Sequence, residues 1–257
     1  MNKFISTLAF LIFLFFSGCA TTTKDALYQT STIDALLAGV YDGNLTLEQL
    51  MRHGDFGLGT FDHLDGEMII LDKNIYQVKA DGKVYKPALS YKTPFAAVCE
   101  FTPDKTIPVK EGTNYKSLEE LIDENIPNKN LFYAIKITGK FKSMKTRSVP
   151  RQEKPYPPLK EATDKESVFN MEKISGTIVG FRCPPYVKGI NVPGYHLHFI
   201  SRDYTSGGHV LSFEILQGIC EMDILDRFFL QLPANAEDFA GTDLSKDRTK
   251  ELQSVEK

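Results

Sequence analysis

The chain contains no tryptophan, so its aromatic packing falls to 18 phenylalanines and 11 tyrosines. Cysteine is scarce, four in 257 residues, and neither a C-x-x-C pair nor a zinc-finger spacing occurs. No sign of charge dominates: 30 basic against 33 acidic side chains leave a net of −3. With no stripe of interleaved basic and aromatic residues, nothing points to nucleic acid as a partner. No internal repeat is visible, and the H-E-x-x-H pattern of zinc proteases is missing. The one strong apolar run, Leu8 to Phe16, is too short to serve comfortably as a permanent membrane helix. What remains is ordinary globular composition, 42% hydrophobic and 25% charged, enough for one large domain or two small ones.

Lys3 followed by that apolar run reads as a signal peptide over residues 1–18. Its end, Phe16-Ser17-Gly18-Cys19, resembles a bacterial lipobox, with Cys19 as the lipidated first residue of the mature protein. Acyl chains would then be the only hold on the membrane, on the extracytoplasmic face. Cleavage near Ala20 and free secretion is the alternative. Residues 19–30 read as lipidation site and polar tether. Cys99, Cys183 and Cys220 remain, an odd number that leaves at least one thiol free.

Hydrophobic periodicity points to a predominantly β, α+β (α/β) fold with a few helices. A capped amphipathic helix begins at Ser31-Thr32 and ends near Gly43, and Thr46 with Gln49 forms a capping box for a second that Gly54 stops. The apolar residues around Asp65-Gly66 form a hairpin. Strands follow at 75–78, 83–85 and 95–101, then a helix at 118–125 and a long alternating stretch over 131–149, one strand or two around Gly139. Four prolines in 150–158 cannot join a central sheet. They suit a boundary between two sheet-based subdomains, 31–150 with a mixed sheet and 151–257 with an antiparallel one. The charged tail, 244–257, reads as a last helix.

Three of the five histidines fall between Gly194 and His209. In a strand His196 and His198 share one face while Leu197 and Phe199 share the other. With Gly207-Gly208 as a turn, a second strand opening at His209 folds back and brings a third imidazole beside the first two. Three neutral imidazoles with one open position form a catalytic type of zinc site. Such an ion polarises a substrate oxygen. Spacing alone leaves three readings: an enzyme of carbanion chemistry, a zinc hydrolase of small esters with Asp203 as its base, or a non-enzymatic zinc-binding surface lipoprotein.

Three stretches resemble bacterial α-acetolactate decarboxylase: Gly59 to Met68, Ser143 to Leu159, and Gly194 to His209. The resemblance extends over nearly the whole mature chain. It implies two parts built on β-sheets, zinc on His196, His198 and His209, and conversion of 2-acetolactate to acetoin and carbon dioxide. It further implies that Glu67 and Arg147 act in the site, that Thr60 lies near the substrate, and that a tail glutamate reaches in. Glu256 matches that glutamate better than Glu251. In the chemistry implied, the metal stabilises an enediolate, Arg147 orients the carboxylate, and Glu67 with help from Glu256 protonates one face. A homodimer is also implied.

Overall fold

The computed structural model describes residues 24–256; the leader and Cys19 lie outside the described residues. Two sheets dominate. Seven strands form the first, in the order Arg227–Gln231, Ala26–Thr30, Ala96–Cys99, Phe56–Thr60, Glu67–Leu71, Asn74–Val78 and Val84–Tyr85. It is mixed, because Ala26–Thr30 runs parallel to Arg227–Gln231 and antiparallel to Ala96–Cys99. In the second, Phe132–Ser148 pairs antiparallel with both Ser167–Cys183 and Gly207–Leu225. Gly194–Ser201 bridges those two strands and closes the ring into a small barrel. Lys105–Val109 joins the outer edge of Gly207–Leu225.

Alternation decides what each barrel strand buries. Leu197 and Phe199 point inward with Ile135, Phe141 and Phe213. On the opposite side, Ile200 packs with Val179 and Phe181 against Leu58, Ile69 and Val78 of the first sheet. Each such side chain removed from water contributes on the order of 1.5–3 kcal/mol. The outward face of the histidine strand is therefore the seam between the two sheets. A third apolar cluster, including Ile33, Leu64, Phe95, Leu159, Leu252 and Val255, closes that seam at one end.

Several expectations need correction. Residues 26–30 are not tether but a fully buried strand. Their polar groups are satisfied: Gln29 donates to the carbonyls of Ser31 and Ile190 and accepts from Asn191. Nor do the sheets divide at the prolines. Lys105–Val109 and Phe132–Ser148 precede residue 150 yet belong to the barrel, and Arg227–Gln231 follows it yet forms the edge of the first sheet. The pairings are long-range, and no local pattern encodes them. Gly207 and Gly208 are also not the turn, which falls at 202–205; they lie within the strand. A Cβ on Gly207 would sit 2.4 Å from the Phe199 carbonyl oxygen, and one on Gly208, at φ +130°, 2.4 Å from that of Arg147. Backbone closeness at the histidine hairpin is what requires glycine there. Cys99, Cys183 and Cys220 are all free and buried.

Candidate active site

The capping-box helix Leu47–Leu50 forms as the sequence predicts, and the capped helix Ile33–Leu37 forms but stops at Leu37, well short of the expected end near Gly43. The Asp65-Gly66 hairpin forms too, with a six-residue connection. Its strands pair Thr60 with Glu67, so both side chains face the barrel across the seam. The barrel answers with cross-strand partners of its own: His198 lies opposite His209, and His209 opposite Arg147. Helix Thr249–Val255 then lays the end of the chain over the group, with Leu252 and Val255 buried and Glu256 following.

His196, His198 and His209 each offer a ring nitrogen within 4.8 Å of the others. Burial is the main cause holding all three well below the ordinary imidazole pKa, His196 at about 3. They are therefore neutral, the state in which imidazole is a ligand. His198 Nδ1 lies 2.9 Å from the Met68 carbonyl oxygen; donation there leaves Nε2 as the free lone pair. One nitrogen of each ring, His196 Nδ1, His198 Nε2 and His209 Nε2, is buried without a hydrogen-bond partner. Three clustered neutral imidazoles, each with a buried ring nitrogen that lacks a hydrogen-bond partner, fit a divalent cation. A second group, Asp42, Asp62 and His63, is similarly close, but its carboxylates are already engaged by Lys154, Tyr156 and the Gly43 N–H.

Two carboxyls face the imidazoles. Glu67 Oε2 lies 3.5 Å from His198 Nε2, and Glu256 Oε2 lies 3.7 Å from His196 Nε2 and 3.9 Å from His209 Nε2. Burial raises Glu67 to about 7, against the pull of Arg147 and with the push of Glu256 and Glu166. Burial likewise raises Glu256 to about 7, opposed by Arg147. Arg147 donates to Glu166 Oε2 at 2.7 Å and to the Val255 carbonyl oxygen, while its Nε–H has no partner. Thr60 Oγ1 donates to the Gly66 carbonyl oxygen at 2.8 Å, so lone pairs are what it offers a ligand. These seven side chains line one cavity of about 40 Å³, walled by apolar residues such as Leu64, Phe95 and Leu159.

All of the site residues expected around the histidines thus meet in one place. Glu251 does not; it is half exposed, beside Arg248. Asp203 is a turn residue, accepting from Ser201 and Thr205. Glu166, the Met68 carbonyl and the Val255 carbonyl escaped the sequence reading. Period-two patterning does not reveal a backbone oxygen, and Glu166 sits in an unpatterned charged run.

Fold and site together define an enzyme built around a buried three-histidine centre with two carboxyls and a guanidinium facing it. A sequence model of the family alpha-acetolactate decarboxylase matches residues 27–246. The alpha-acetolactate decarboxylase of Methanosarcina mazei is 51% identical over 238 residues, which cover 93% of this chain and 82% of that protein. That of Brevibacillus brevis is 43% identical, over 91% of this chain and 81% of its own. The crystal structure of the Bacillus subtilis strain 168 protein superposes with a TM-score of 0.88 at 40% identity, over 90% of this chain and 99% of that one. The chain belongs to the alpha-acetolactate decarboxylase family, a family of carboxy-lyases.

Proposed function

We propose that the protein decarboxylates 2-acetolactate to acetoin and carbon dioxide with a zinc ion held by His196, His198 and His209. The observation that carries this reading is the meeting of two largely enclosed carboxyls, one guanidinium and three buried imidazoles in a single cavity. When bound, the ion supplies a Lewis acid that stabilises negative charge developing on the substrate oxygens.

The other roles belong to the chain's own side chains. Arg147 receives the substrate carboxylate through its free Nε–H and the adjoining edge of the guanidinium. Thr60 accepts a hydrogen bond from the substrate hydroxyl. As the bond to the carboxylate breaks, carbon dioxide leaves and the electron pair passes into the neighbouring ketone. The carbon left behind must then gain a proton. Glu67, whose raised pKa keeps a proton available near neutrality, delivers it to one face, with Glu256 on the opposite side of the triad as its partner. Apolar walls keep water away from the developing charge.

Feeding racemic acetolactate and measuring acetoin and carbon dioxide, before and after chelation, with a simple ester as control, tests the reading. Metal-dependent release of both products without ester cleavage is expected. Ester cleavage would favour a hydrolase, and metal uptake with neither reaction would favour a zinc-capture protein. In the same reading the leader exports the enzyme and Cys19 anchors it outside the cytoplasm.

A further inference from the structure

Arg147 is gripped from two sides. Glu166 Oε2 takes Nη1 at 2.7 Å, and the Val255 carbonyl oxygen takes Nη2. The guanidinium is buried, its side chain only 6% exposed, while Glu166 reaches it from the start of strand Ser167–Cys183 with 24% exposure. A long side chain with several rotatable bonds loses considerable freedom when it is fixed, and a buried guanidinium needs a counter-charge. Glu166 provides both. It is anchored by its own N–H to the Thr163 carbonyl oxygen at 2.9 Å, which ties it to the helix Leu159–Thr163 walling the cavity.

We propose that Glu166 is a positioning residue: by holding Nη1 of Arg147 it keeps the unpartnered Nε–H turned to the cavity, and so sets the preference of the site for a ligand that carries a carboxylate. This deepens the reading given above and rests on Arg147 being the carboxylate's partner. Glu166 itself touches no substrate atom. Its carboxylate holds Nη1 and leaves Nε without a partner, so the substrate meets a held donor and not a freely turning cation.

The test uses the zinc-loaded enzyme and two competitive ligands. One is 2,3-dihydroxy-2-methylbutanoate, the reduced counterpart of the substrate; the other is butane-2,3-diol, which lacks the carboxylate. Glu166→Ala is expected to lower the ratio of their affinities about tenfold by weakening the acid alone, the scale of one charge-assisted contact. Glu166→Gln, whose amide oxygen can still accept from Nη1, should recover part of that ratio. A merely structural role would weaken both ligands alike and leave the ratio unmoved, and that result overturns the proposal. If the alanine variant does not fold, the glutamine variant carries the test: an intermediate ratio supports the assignment and an unchanged one refutes it. Wild-type protein that ignores acetolactate would instead sink the functional reading, so the two failures are distinguishable.

Discussion

At Glu67 burial and a neighbouring guanidinium pull in opposite directions, and burial wins, holding the carboxyl at about 7. Glu67→Gln keeps the shape and removes the transferable proton. It should leave bound zinc unaltered and lower turnover by about 100-fold or more, the usual scale of general acid catalysis; metal analysis beside a rate measurement checks both, and full activity would remove Glu67 from the role. Asp223 shows the same physics far from the histidines. Burial raises it to about 7, opposed by the Thr102 N–H and reinforced by Asp104 and Asp25. Since its folded pKa exceeds the unfolded one, its stability contribution is full below about pH 4 and is lost as pH rises through about 7. Asp223→Asn should therefore gain more in Tm over the native protein at pH 8 than at pH 5. The histidines were legible in the sequence, because strand alternation puts two on one face and a folded-back strand adds the third. Glu67 and Arg147 were not legible from spacing, only from motif resemblance, since one acid after Asp-Gly and one base before a proline carry no pattern.

Among the elements, the C-terminal helix bears most directly on activity. Seven residues cannot hold a helix alone in water, so Thr249–Val255 depends on Leu252 and Val255 packing beside Ile33 and Leu159. Leu252→Ala should remove about 2 kcal/mol or more of that docking, withdraw Glu256, and cut turnover while the three histidines keep their metal. Limited proteolysis at the tail, run beside metal analysis, reads this out; a protected tail with unchanged turnover would contradict it. Strand recognition succeeded where alternation was clean, as in Phe132–Ser148 and the histidine hairpin. It failed for Ala26–Thr30, where Gln29 and Thr30 mimic a tether although hydrogen bonds satisfy both. Lys105–Val109 was missed as well, because Pro108 argues against a strand; at a sheet edge a proline is tolerated.

The whole molecule is a barrel docked on an open sheet, and the site exists only where the two meet. Thr60 and Glu67 come from the sheet, the histidines and Arg147 from the barrel, and Glu256 from the tail, so no subdomain alone forms the cavity. A boundary at the prolines, natural in the sequence, would cut through both sheets, because each takes strands from either side of residue 150. Among the described residues no helix is long and apolar enough to cross a membrane; the proposal that Cys19 is lipidated is tested separately. Labelled palmitate should enter the expressed protein and be lost in Cys19→Ala; equal labelling of both would place any lipid elsewhere. The central claim is that the buried imidazole triad holds the ion on which turnover depends. It is tested most directly by withdrawing metal stepwise with a chelator and measuring bound zinc and acetoin formation in the same samples. The account predicts that activity falls in proportion to zinc lost and returns when zinc is restored, whereas undiminished acetoin formation by protein stripped of metal would contradict it.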